Sequence, residues 1–173
     1  MDCCFSNKEG WFRYRACAII IEDGEVLMAK NEVDPYYYSV GGGVHLHESA
    51  IDAVKREVKE ETGVEYEVDR LAFIHENFFS NAGGTLEGLQ CHEIALYFLM
   101  KPRGTKELNS DSYCMGGIKE NMHWIPIDKF NEYQAYPTFF GEKLHNLSEH
   151  VEHIVTYEGL DDSKSLVKST LLC

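Results

Sequence analysis

Residues Arg56 to Val64 read REVKEETGV and crowd three carboxylates, Glu57, Glu60 and Glu61, into the end of a stretch with helical spacing. The C-terminal end of a helix carries the negative pole of its dipole, so each carboxylate there costs roughly 0.3–1 kcal/mol relative to a cation. Glu57 and Glu61 are also four apart, where like charges repel by ~0.2–0.5 kcal/mol. On a helical wheel the three fall within about a third of the circumference, beside an apolar stripe of Ile51, Val54 and Val58. Hard oxygen donors placed in this way suit Mg²⁺ or Mn²⁺, with water and phosphate oxygens completing an octahedron. A solvated face is the ordinary fate of a Glu/Lys-rich helix, and the Asp52–Arg56 spacing fits it. It does not account for Glu57 and Glu61, and an uncompensated break of a local rule is where a functional site is expected.

The elements that must hold this helix can be read on either side of it. Phe12 to Glu22 predicts a strand, Asp23-Gly24 a two-residue hairpin turn, and EVLMAK the returning strand. Three tyrosines, Tyr36 to Tyr38, lead into SVGGGVHLHE, where consecutive glycines end a short strand in a loop open to close backbone approach. Ser49 to Thr62 is the helix, stopped by Gly63 in the left-handed conformation. EYEVDRLAFIHENFF and HEIALYFLMK read as strands around a turn at NAGGTLEG. A polar loop spans 102–117, HWIPI is a last short strand, and DKFNEY is helical. The tail shows helical spacing at Leu144, Leu147 and Val151, with DDSKSLVKST loosely held. Strands flanking a central helix, with a late helix, predict an α/β sandwich over a mixed sheet.

Gly42, then Glu48, then Arg56-Glu57-Val58-Lys59-Glu60-Glu61-Thr62-Gly63-Val64, at these intervals, resembles a complete Nudix box. The resemblance covers residues 42–64 directly. It implies the Nudix α/β/α sandwich over about residues 12–135, with a C-terminal helical tail over about 136–173, in a single domain. It also implies metal-assisted hydrolysis of a nucleoside diphosphate linked to a group X, water attacking phosphorus. On the matched positions, Glu57, Glu60 and Glu61 would be metal ligands, helped by the backbone carbonyl of Gly41. Arg56 and Glu48 would orient that cluster, Gly42 and Gly63 would shape the loop and the helix end, and Glu61 or Glu120 would be the general base. The alternative is a non-catalytic module of the same fold that senses a nucleotide or binds a protein. Such modules usually lose box glutamates, and none is lost here.

Signatures of particular branches are missing downstream. No proline occurs between Val64 and Pro102, a tyrosine expected of the diadenosine-polyphosphate branch is replaced by FFSNAGG, and VLMAKN does not match the coenzyme A motif. Elimination leaves the broad class that includes nucleoside triphosphate-cleansing enzymes of the MutT type. Tyr36, Tyr37, Tyr38, Phe78 and Phe79 are the aromatic candidates for stacking on a base, with Tyr38, Phe78 and Phe79 chosen, against the commoner fate of core packing. His45 and His47 read as surface residues or at most a phosphate contact, and His145, His150 and His153 as solvated.

The 173 residues, 44% of them apolar, can bury a core, and the net charge of −13 argues against nucleic acid or an anionic membrane as partner. A small phosphate substrate stays compatible with that charge if a cation neutralises it locally. The six cysteines form no CxxC pair, which leaves neither a zinc ribbon nor a dithiol redox site. Without a signal-peptide-like start or a long apolar run, the expected location is cytoplasmic. The resemblance allows a homodimer, but no residue pattern identifies an interface.

Overall fold

Asp23 and Gly24 take φ of 50° and 76°, the pair of positive values that a tight hairpin turn requires. They join β3 (Ile21–Glu22) to β4 (Glu25–Asn31), antiparallel as expected. The strand before the turn is not continuous. It breaks at Ile20, and the longer part, β2 (Gly10–Ile19), belongs to a different sheet. This crossing lets one run of apolar residues serve both sheets. The protein is seen here in a computed structural model that describes residues 1–8, 10–80, 88–114, 117–158 and 168–171.

The larger sheet runs β1 (Cys4–Asn7), β2, β8 (Gln90–Met100), β7 (Val68–Ser80), β12 (Glu152–Glu158), β13 (Lys168–Leu171), with β6 (Gly41–Gly43) also on β2. Its pairings are mixed: β2 with β8 and β7 with β12 are parallel, β7 with β8 antiparallel. The second sheet runs β11 (Ala135–Tyr136), β5 (Tyr37–Ser39), β4, β10 (Ile118–Pro126), β9 (Tyr113–Cys114), with β3 on β4. The α/β architecture is the expected one, with its mixed sheet divided in two.

One apolar core fills the space between the sheets, from Cys17, Ile19, Met28, Phe73, Tyr97 and Ile125 to Phe139 and Phe140. A second core lies under α1 (Ala50–Thr62), where Ala53, Val54 and Val58 meet Ala16, Ala18, Val40 and Phe98. Ser49 caps α1 by accepting from the Asp52 N–H, and Gly63, at φ 73°, ends it. Ile51, expected in the buried stripe, is 47% exposed. The buried face has rotated toward the helix end and takes in Glu61 and Thr62 instead.

Three other expectations are corrected. Gly41 to Gly43 form strand β6, antiparallel to Arg15, Ala16 and Cys17, rather than a loop. Among the described residues, the helical spacing of the tail yields only the short helix α2 (Phe140–Lys143), and most of DKFNEY lies on a 3₁₀ helix at Ile127–Glu132. Val151 precedes a strand instead, because the free edge of β7 is satisfied by β12 in parallel register from Glu152↔Phe73 to Glu158↔Phe79. Ile154 and Thr156 are buried there, and the Thr156 hydroxyl donates to Asn77 Oδ1 at 2.7 Å. That hydroxyl must then accept from His75 Nε2–H, 2.8 Å away. His153, read as solvated, instead pairs with Glu76 at 2.7 Å. The turn expected at NAGGTLEG lies, apart from Gly88, outside the described residues, as does most of DDSKSLVKST.

Candidate active site

The helix end delivers its carboxylates in three different states. Glu60 is exposed, with 59% of its side chain open to solvent. Glu57 is mostly buried and lies directly against Gly42, where a Cβ would fall 2.4 Å from its Oε2. Glu61 is buried; its Oε1 accepts from the Gly41 N–H at 3.1 Å, and its Oε2 has no hydrogen-bond partner. Burial, then the nearby charge of Glu120, pushes the Glu61 carboxyl well above its usual range. Burial also raises Glu57, against the pull of Arg56.

Arg56 organises the rim. Its Nε and Nη2 make a two-pronged contact with Glu48, at 2.8 and 2.9 Å, and Nη2 also reaches the Gly43 carbonyl at 3.1 Å. Its Nη1 bonds Glu57 Oε1 and stands 3.3 Å from Glu60. The paired guanidinium, helped by the His45 backbone N–H, holds the Glu48 carboxyl down at about 2. One cation thereby ties the loop after β6 to two of the three box carboxylates.

Gly41 is fixed at both ends. Its N–H goes to Glu61, and its carbonyl accepts from Arg15 Nη2 at 2.7 Å. At φ 132°, with a Cβ position 2.4 Å from the Ala16 carbonyl oxygen, no side chain fits there. Glu120 reaches the same region from β10. Both of its carboxylate oxygens are occupied, one by the Tyr38 hydroxyl and the other by Ser112 Oγ at 2.7 Å. Burial, followed by this bond to Glu120, raises the Tyr38 hydroxyl above its ordinary range.

The structure therefore brings Glu48, Arg56, Glu57, Glu61, Gly41, Gly42, Glu120 and Tyr38 together, with Glu60 at the margin. Phe78 and Phe79 lie on β7, two strands away from β2 in the larger sheet. Phe78 stacks on His92 and Tyr157 at 4.3 and 5.0 Å, and the alternation of the strand turns Phe79 to the opposite face. His45 sits 3.3 Å from Asp2 and 3.8 Å from Glu48, in a rim braced by the N-terminal residues. Arg15, Glu93 and Ser112 were not singled out by sequence. The available signal was alternation: Arg13 and Arg15 share the face of β2 that carries Cys17 and Ile19 into the core, where cations demand an explanation.

Among the described residues, no three His, Cys, Asp or Glu side chains form a ready-made cation cage. Glu57 and Glu60 are drawn onto Arg56, and Glu61 onto Gly41. The donor set nevertheless fits a hard divalent cation. It offers carboxylate and carbonyl oxygens only, one of them a buried oxygen without a partner, and Gly42 lets the Glu57 carboxylate lie close against the glycine strand.

Fold and site together define a phosphate-anhydride hydrolase of the Nudix class. The NUDIX domain model matches residues 11–144, and the chain belongs to that family. Among its relatives is a MutT-like protein of Streptomyces ambofaciens, 30% identical over 120 residues, which make up 69% of this chain and 67% of that protein. A MutT Nudix hydrolase structure from Burkholderia pseudomallei is 25% identical, covers 68% of this chain and 84% of its own, and superposes with a TM-score of 0.52. A MutT protein from Bacillus halodurans, 18% identical, shares the fold over 92% of this chain and 97% of its own at a TM-score of 0.60. The chain is thus an enzyme of a family whose members hydrolyse pyrophosphate linkages in nucleoside diphosphate compounds. That family generally uses divalent cations.

Proposed function

We propose that the protein is a Mg²⁺-dependent pyrophosphohydrolase of a nucleoside triphosphate or a closely related nucleotide, with Mn²⁺ able to replace Mg²⁺. The observation that carries the reading is the buried, unpartnered Glu61 Oε2 beside Glu57 and Gly41. Leaving such an oxygen unpaired costs ~1–3 kcal/mol, more for a charged group, unless a cation or a proton satisfies it. Glu57, Glu60, Glu61 and the Gly41 carbonyl would hold the cation. When bound it supplies neutralisation of phosphoryl charge and a lowered pKa for the attacking water.

The chain's own residues do the rest. Arg56, clamped by Glu48, keeps Glu57 and Glu60 facing the loop after β6. Between the two candidate bases, Glu61 is favoured over Glu120. Glu61 has a free oxygen, whereas both oxygens of Glu120 are spent on Tyr38 and Ser112. Glu120, held by Tyr38 and Ser112, then stands as a second negative charge near Glu61. The triphosphate assignment rests on the missing branch signatures and on the MutT-like relatives.

The test is product analysis with Mg²⁺ or Mn²⁺ over canonical and oxidised nucleoside triphosphates, ADP-ribose, diadenosine polyphosphates, nucleotide sugars and capped RNA. Glu60→Gln runs alongside. Turnover of triphosphates, lost in the variant, is the expected result. Turnover of another class would reassign X, and none at all with metal bound would favour a sensing module.

A further inference from the structure

Arg15 is a buried cation with an unused donor. Its side chain is 11% exposed, its Nη2 bonds the Gly41 carbonyl, and its Nη1 lies 3.9 Å from Glu93. Its Nε is buried and has no hydrogen-bond partner. Glu93 is also paired with Arg13, so two guanidiniums share one buried carboxylate. Arginine does not discharge in a protein, and the group therefore holds an excess positive charge in a place poor in water. An unmet N–H on a buried ion is among the more costly orphans a fold can carry. Arg15 is one residue away from the box carboxylates, since the Gly41 residue it holds by the carbonyl is held by Glu61 through its N–H.

We propose that Arg15 is a substrate-contacting residue whose guanidinium receives an anionic oxygen of the diphosphate, with Glu93 and Arg13 holding the fork in place behind it. The inference rests on the pyrophosphohydrolase reading. A diphosphate oxygen meets the free N–H and offsets the charge at once; a lone interior water would do only the first. The planar fork also explains why an arginine stands here, because it can keep the Gly41 carbonyl and still present a second donor.

The competing role is a brace that only holds the Gly41 carbonyl. The two separate by binding measured without turnover. Mn²⁺ alone, and then methylenediphosphonate with Mn²⁺ present, are titrated calorimetrically into the full chain and its Arg15→Met and Arg15→Lys variants. The expected result is Mn²⁺ affinity kept or increased, since a neighbouring cation has been removed, and diphosphonate affinity lowered on the order of tenfold or more in Arg15→Met. The lysine, a point charge without the fork, falls between. Diphosphonate affinity within about twofold of wild type overturns the proposal, as does an equal loss of Mn²⁺ and diphosphonate affinity, the mark of a brace. If Arg15→Met does not fold, the wild-type Arg15 Nε–H resonance decides. It should shift with Mg²⁺ and methylenediphosphonate but not with Mg²⁺ alone, and no shift overturns the contact. A wild type that binds the diphosphonate through Arg15 but hydrolyses no nucleotide would defeat the hydrolase reading and leave this contact standing.

Discussion

Glu61 accepts the Gly41 N–H through one carboxylate oxygen at 3.1 Å and buries the other without a partner. Helix end and glycine strand are thereby joined through a buried carboxylate whose second oxygen is left unsatisfied. Glu61→Gln keeps the acceptor for Gly41 and removes the charge. Hydrolysis should fall on the order of a hundredfold or more, while the melting temperature of the metal-free protein should stay level or rise, because a buried amide carries a smaller desolvation cost than a carboxylate. A drop in melting temperature together with retained turnover would show that Glu61 is a structural group.

Gly42 leaves room for Glu57. A methyl group at residue 42 would lie 2.4–2.6 Å from the carboxylate atoms of Glu57, the far end of a flexible side chain that can swing aside. Gly42→Ala should therefore fold with a stability change below about 1 kcal/mol, yet lose metal affinity and activity together as Glu57 is displaced. Titration of Mn²⁺ against a thermal melt of the same sample separates the two effects. Unchanged metal affinity would mean that Glu57 is not part of the donor set.

The box and its helix were legible because their constraint is local: apolar spacing, glycine stop and carboxylates all lie within one short run. The hairpin at Asp23-Gly24 was legible for the same reason. The break at Ile20 was not, since it depends on β2 pairing with β8, far along the chain. Ile51 was misplaced because a wheel cannot tell which edge of an apolar stripe the sheet covers; the sheet covered the edge nearer Glu61. The tail was misread as helix because its spacing is ambiguous in so short a segment, and the open edge of β7 decided the outcome. Arg15 and Glu93 become meaningful only when register sets β2 beside β8.

His75 gives a pH signature seated in the buried part of the larger sheet. Burial lowers its ring from 6.5 to about 4, and its Nδ1 has no hydrogen-bond partner. A histidine whose folded-state value is depressed contributes stability that is fully present above the unfolded value and is lost as pH falls toward the folded one. The stability of the protein should accordingly decline between 6.5 and about 4, and a His75→Gln variant should lose part of that decline. Chemical denaturation at stepped pH measures it, and identical acid profiles for the two proteins would rule it out.

Ile154 tests whether the late strand is integral. Fully buried between the sheets, it lies opposite His75 in the parallel register of β7 and β12. Ile154→Ala should cost roughly 2–5 kcal/mol, the usual penalty for a core cavity. Denaturant unfolding should show one shifted transition. An early, separate loss of β12 signal would mean that the strand docks on an already finished domain.

Glu76 and His153, bonded across β7 and β12, are 77 positions apart in the chain. Parallel pairing over so long a loop is slow to form, because closure entropy precedes any reward from contacts. On a ribosome, everything matched by the family model to residue 144 would emerge while β7 still had an unpaired rim. The newborn protein would pass through an interval in which Phe73 to Phe79 offer a bare template, and a chaperone or a neighbouring nascent chain could reach that template before β12 does.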